Sequence, residues 1–262
     1  PLFSRIIKYC IYIIYFLLFL LSILYSEENK CNYNLEWSVV SSGYHDERTV
    51  RLCIDSTGSI VTTVVFEGNF KIGSHNFVSQ GKQDGCIIKY SNDGEILWVK
   101  HLKSNDNVLP NHIETDKNGN IYVTGSVENN CTIDDITLQG RYPNSLPMLL
   151  RFDFEGNLVW GKIFQTNGSG KMHSKGLSID RDDNIYMSGY FNNRNIILDE
   201  SIVLETNGNR CGAFISKFDS LGNCLWANPI YDVNGVVYAN FARSSENGVV
   251  VNGNFNGNLQ VG

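Results

Sequence analysis

Four tryptophans, Trp37, Trp98, Trp160 and Trp226, fall 61, 62 and 66 residues apart, and the words before three of them match: "KYSNDGEILW", "RFDFEGNLVW" and "KFDSLGNCLW". A second phrase alternates with the first: "DSTGSIVTTV", "DKNGNIYVTG", "DRDDNIYMSG" and, more worn, "SENGVVVNG". A fixed period of this length commits a chain to an array in which each unit buries its apolar face against the next. The period is about 62 residues, present three times with a partial fourth, over about 37–98, 99–160, 161–226 and 227–262.

Each phrase has a local reading. Asp-x-x-Gly suits a type I turn with Asp first and Gly fourth, where positive φ is easily adopted. Asp55–Gly58, Asp116–Gly119, Asp153–Gly156 and Asp219–Gly222 follow it, while Ser91–Gly94 and Ser245–Gly248 begin with Ser. Asp183 replaces Gly in the third repeat, and Asp tolerates that backbone region. The flanking runs, such as "HIETD", "IYVTG", "MLLRFD" and "NLVWGKIF", alternate or are β-branched, which predicts strands joined as hairpins. Two hairpins per repeat give four short antiparallel strands. The fold class expected is all-β, a β-propeller of four-stranded antiparallel blades, in which the recurring Trp packs blade against blade.

The pattern D-x-x-G-N-I-Y-V-T-G, a variable stretch, then K/R-F-D-x-x-G-N-x-x-W, resembles the SBBP repeat, a β-propeller repeat of bacterial and some eukaryotic surface proteins. The likeness covers residues 35 to 262 and departs from the family at Val64 and Asp183, where Gly is preferred. It implies a propeller fold and carries no shared catalytic residues. "NLEWSVV" (Asn34–Val40) matches only the last strand of a repeat, and the sequence stops after the second strand of the fourth. The expectation is therefore an incomplete ring of about three and a half repeats, a fragment of a longer protein.

Residues 1–26 differ in kind. Arg5 and Lys8 precede an uncharged apolar run from Tyr9 to Tyr25, and polar "SEENK" follows. That order predicts an apolar helix serving as an export signal peptide, or, uncleaved, as a signal anchor. Either places residues 27–262 outside the cytosol, secreted or at the cell surface. Two N-glycosylation sequons, at Asn130 and Asn167, fit export. Cys10 lies in the apolar segment; the other six cysteines, with no CxxC pair, read as disulfides or buried thiols rather than a zinc site.

Chemical motifs are sparse. "NGSGK" (Asn167–Lys171) lacks the Gly and the Ser/Thr that a phosphate loop needs at 165 and 172. "DRDDN" (Asp180–Asn184) has the alternate carboxylates of a calcium loop but neither its Gly nor its distal Glu, so a hairpin turn with extra charge is expected. The histidines at 45, 75, 101, 112 and 173 show no metalloprotease spacing, and no GxSxG elbow occurs. Lys89, Arg151 and Lys217 recur once per repeat and read as a solvent-facing strand edge or, alternatively, an ion-binding ring in a central channel. A net charge of −6 without a basic stripe argues against nucleic acid. No catalytic, cofactor or metal residues emerge, and no cofactor is expected.

The reading is an extracellular binding or adhesion scaffold that takes a protein or glycan through variable loops such as "SHNFVSQGKQ", "DDITLQGRYPNS" and "DESIVLETNGNR". A membrane enters only through an uncleaved N-terminal segment. The alternative is an extracellular enzyme, a hydrolase or quinone-dependent oxidoreductase, with its site at the propeller funnel.

Overall fold

Alternating apolar positions, tight Gly turns and scarce Pro lead to strands throughout. The computed structural model describes residues 36–43, 47–140, 145–166, 170–192, 195–205, 211–232, 237–245, 248–256 and 259–261. The apolar segment 1–26, and with it the expected signal or anchor helix, lies outside the described residues. Contacts divide the chain into Pro1–Ser38 and Val39–Gly262, and only the second is considered below.

A short strand, β1 (Ser41–Gly43), comes first. The first blade holds β2 (Glu47–Ile54), β3 (Ile60–Phe66), β4 (Asn69–Ile72), β5 (His75–Val78), β6 (Asp84–Tyr90) and β7 (Ile96–Lys103). The second repeats this as β8 (Val108–Thr115), β9 (Ile121–Glu128), β10 (Cys131–Ile133), β11 (Ile136–Leu138), β12 (Ser145–Phe152) and β13 (Leu158–Ile163). The third has β14 (Met172–Ile179), β15 (Ile185–Phe191), β16 (Asn195–Ile197), β17 (Val203–Glu205), β18 (Gly212–Phe218) and β19 (Cys224–Asp232). The fourth contributes β20 (Val237–Ser245), β21 (Gly248–Phe255) and β22 (Leu259–Val261).

Each of the first three blades is a four-stranded antiparallel meander, ordered β2-β3-β6-β7, β8-β9-β12-β13 and β14-β15-β18-β19. The expected four strands are present, but each repeat also carries a side hairpin that its sequence had disguised as a variable loop. That hairpin reaches back to the outer strand of the blade before it. β4 pairs with β1, β10 with β7, and β22 with β19; the third side hairpin meets the second blade through the bridge Gln165–Ile197. Pairing an otherwise open edge in this way satisfies its backbone groups and ties neighbours together.

The turns form as the sequence predicts. Gly58, Gly94, Gly119, Gly156 and Gly222 donate to the carbonyls of Asp55, Ser91, Asp116, Asp153 and Asp219 at 3.0 to 3.1 Å. Their φ angles lie between 79° and 88°, and Asp183 takes the same place at 63°. The Asp carboxylate fixes the loop from inside: Asp116 Oδ1 accepts from the N–H groups of Asn118 and Asn120, and Asp153, Asp180 and Asp219 repeat this. The Ser245–Gly248 turn includes residues outside the described set.

Apolar cores lie between blades as well as within them. Val61 and Ile87 of the first blade share one cluster with Ile113, Ile121, Val123 and Leu150 of the second. Tyr122, Leu146 and Leu149 of the second share another with Leu177, Met187 and Phe214 of the third. Burying one such side chain stabilises by about 1.5–3 kcal/mol, so successive blades hold one another in place. The result is an all-β, β-propeller-like series of blades, with no closed ring found among the described residues.

Candidate functional site

Register explains the Lys/Arg…Trp phrase. The outer strands bulge between Lys89 and Tyr90, Arg151 and Phe152, and Lys217 and Phe218, which sets Trp98 opposite Lys89, Trp160 opposite Arg151 and Trp226 opposite Lys217. Basic group and indole thus form cross-strand pairs. In two blades they converge on one carbonyl of the next blade. Lys89 Nζ and Trp98 Nε1 donate to Phe154 O at 3.3 and 3.4 Å. Arg151 and Trp160 Nε1 donate to Ser220 O at 3.1 and 3.2 Å.

Behind the carbonyl, the turn glycine lies on the indole. A Cβ on Gly156 would stand 2.9 Å from the Trp98 ring, and one on Gly222 3.2 Å from Trp160. Lys162 Nζ also donates to Gly222 O. The Trp therefore packs blade to blade, as expected.

The periodic cations are not a solvent-facing edge. Lys89 is 5% exposed, and its ammonium stands 2.9 Å from Asp55 Oδ2, an oxygen that meets nothing else. Lys217 stands 3.5 Å from Asp180 and 5.0 Å from the centre of the Tyr186 ring; Arg151 covers Tyr122. Each cation answers the buried turn carboxylate or ring of its own blade, because a desolvated Asp needs a counter-charge.

Asp180, the first carboxylate of the supposed calcium loop, is engaged in the same manner. Burial would raise its pKa, but hydrogen bonds from the Asn184 side chain and the Asn184 and Asp182 N–H groups, with Lys217 nearby, hold it below the ordinary value. Asp183 pairs with Lys117 at 3.1 Å. Among the described residues no three His, Cys, Asp or Glu side chains gather as a metal set.

Beside this turn a cleft of about 800 Å³ opens where the second, third and fourth blades meet. Glu114, Arg181, Asp182, Lys217, Arg243 and Tyr186 line it. The hydroxyls at its wall are held by backbone: Ser178 Oγ accepts from Ser244 N–H at 2.9 Å, Ser244 Oγ donates to Ile179 O at 3.0 Å, and Thr115 Oγ1 donates to Ile54 O at 3.4 Å. Among the described residues no hydroxyl there is paired with a His ring, and the lining presents fixed charge of both signs. Sequence reading missed the cleft, whose members are spread from Glu114 to Gly248 and join the recurring Asp180, Tyr186 and Lys217 to charges at places that differ between repeats.

The other expected residues are placed as follows. Asn130 is half-buried ahead of β10, and its Oδ1 accepts from Gly140 N–H at 3.2 Å. Asn167 lies outside the described residues, with most of "NGSGK". Cys53, Cys86, Cys131, Cys211 and Cys224 are free thiols. Burial is the main cause pushing Cys53 and Cys131 up to about 12 and Cys211 up to about 11, so they remain protonated small hydrophobes. His101 Nε2 meets buried Asp84 at 2.8 Å, a pair peculiar to the first blade that the 17-residue separation hid.

These features define a repeat protein built of β-propeller-like blades. No family model matches the chain. It is similar to an uncharacterized WD repeat-containing protein, L264, of Acanthamoeba polyphaga mimivirus, with 24% identity over 228 residues covering 78% of this chain. The chain spans only 16% of that relative's length.

Proposed function

We propose that this chain is an extracellular or cell-surface scaffold that binds a polypeptide partner through the charged cleft between its second, third and fourth blades. One observation carries the reading. Beside the recurring Asp180 and Lys217, which are paired with each other, the non-recurring charges Glu114, Arg181, Asp182 and Arg243 collect in one cleft. Charge arranged on a rigid support selects and orients a partner of complementary pattern. Likeness to a WD repeat-containing protein supports interaction with protein in general. A glycan is the weaker fit, because the ring face of Tyr186 is taken by the Lys217 ammonium.

The finer reading, an SBBP-type surface protein, rests on the repeat phrases and on the charge-then-apolar order of residues 5–25. Selecting the full chain against a random peptide library tests the binding claim. Enriched peptides should carry both charges and lose binding to the Arg243→Glu protein; no enrichment, or binding indifferent to that change, would contradict it. N-terminal sequencing of exported protein tests the placement, with a start near Glu27 expected for a cleaved signal. A glycosidase-sensitive mass at Asn130 would agree with export.

A further inference from the structure

We propose that the first strands of the first three blades build a site for a small dianionic oxyanion of the phosphate or sulfate kind, held by Lys175 and Arg48, with Asn111 positioning the lysine. β2 adjoins β8, and β8 adjoins β14. Each of these strands bulges at the same point, between Thr49 and Arg51, Pro110 and His112, and Ser174 and Gly176. Val50, Asn111 and Lys175 are therefore the residues that the ladder skips. Two of the three are neutral, so the bulge itself requires no cation. Lys175 is gripped from β8 at both ends: its carbonyl lies 3.3 Å from His112 Nδ1, and its ammonium lies 3.5 Å from Asn111 Oδ1. Asn111 is fixed in turn, its Nδ2 donating to Ser174 O at 3.0 Å.

What this half-buried lysine lacks is a counter-charge. Among the described residues the lysine–carboxylate pairs belong to Lys82, Lys89, Lys100, Lys117 and Lys217, and neither Lys175 nor Arg48 has one. The carboxylates next to them in these strands lie elsewhere, that of Glu47 against Gly43 and that of Glu114 3.5 Å from His112 Nε2. Burial first, and then the like charge of the nearby Arg48 guanidinium, holds the Lys175 pKa below the ordinary lysine value. Lys175 and Lys171 together act on His173 in the same sense. Positive charge thus gathers at one place in a chain of net charge −6. A desolvated cation without a partner is unfavourable, and an oxyanion bridging the two cations relieves their repulsion and accepts the remaining ammonium protons. Arg48, Asn111 and Lys175 do not line the partner cleft, so the inference does not depend on it.

Isothermal titration calorimetry of the full chain with sodium phosphate, and separately with sodium sulfate, tests the site against sodium chloride of equal ionic strength. Phosphate and sulfate should bind with a Kd of about 1 mM and raise the unfolding midpoint, whereas chloride should do neither. Lys175→Gln and Arg48→Gln should each weaken binding roughly tenfold. Lys71→Gln, on the side hairpin of the first blade, should change nothing. Arg48 is exposed, so its variant keeps the fold and its result stands even if Lys175→Gln impairs folding. Absence of binding by both anions up to ~20 mM, or binding undiminished by Arg48→Gln, would overturn the proposal.

Discussion

Gly156 lies against the indole ring of Trp98 in the preceding blade, at a φ of 86° and with only 2.9 Å to spare for a Cβ. Two penalties therefore meet at one position. Gly58 has the same φ of 86° in nearly open surroundings, its nearest neighbour being Asn92 at 3.8 Å. Gly58→Ala should cost about 1–2 kcal/mol, the backbone term alone. Gly156→Ala should cost about 1 kcal/mol more, through displacement of the ring. Urea unfolding of both variants checks this; equal losses would mean the indole is not a rigid wall.

Lys89 and Asp55 are both nearly inaccessible to water and 2.9 Å apart. Lys89→Met should destabilise by about 3 kcal/mol, because the carboxylate loses its counter-charge while remaining buried. Adding Asp55→Asn should recover a large part of that loss. A double-mutant cycle in chemical denaturation gives the answer, and a purely additive result would contradict the pairing.

The His173 Nδ1 atom meets Ser126 Oγ at 2.9 Å and, more distantly, Ser145 Oγ at 3.5 Å. Burial chiefly, then Lys175 and Lys171, depresses its pKa from 6.5 to about 4. Between those values the unfolded chain binds the proton and the folded chain does not, so this residue's contribution is present above pH 6.5 and is lost as pH falls towards 4. The loss amounts to roughly 3 kcal/mol at most. In His173→Gln the stability curve should flatten over that window, as unfolding midpoints at pH 7, 6, 5 and 4 will reveal.

Arg243 is exposed on the cleft wall. Arg243→Glu should leave folding stability within about 0.5 kcal/mol, yet weaken a charged partner peptide roughly tenfold or more, with a steeper loss as salt is lowered for like-charged ligands. Calorimetry on the selected peptides reads both effects.

The repeat, its strands and its turns were legible because each depends on short-range rules: Asp-x-x-Gly fixes a turn, and alternation fixes a strand. The eight residues between Lys89 and Trp98 already encoded a cross-strand pair, but only if the turn and the bulge that skips Leu97 are counted together. The direction in which Lys89 points was not legible, since its counter-charge, Asp55, lies 34 positions earlier. Side hairpins were hidden by their brevity: Cys131–Ile133 and Ile136–Leu138 are too short to show a period, and their place is set by the neighbouring blade's open edge. The preference for Gly at the end of the second phrase also has its reason in distance. Gly125, Gly189 and Gly253 pass under the carbonyls of Leu109, His173 and Tyr238, where a Cβ would come within 2.1 Å. The charges that distinguish the cleft, Glu114, Asp182 and Arg243, left no trace in the repeat, because they stand at places where repeats disagree.

Serial stacking of equivalent blades is the claim on which the rest depends, and neighbouring first turns touch in the order of the chain. Ser56 Oγ lies 3.4 Å from Lys117 O, and Lys117 Nζ lies 3.1 Å from Arg181 O. Thiol cross-linking with a short bifunctional reagent tests that order directly. The pairs Ser56→Cys with Lys117→Cys, and Lys117→Cys with Arg181→Cys, should cross-link efficiently, while Ser56→Cys with Arg181→Cys should not. Efficient linkage of the skipped pair, or failure of both adjacent pairs, would contradict the blade order.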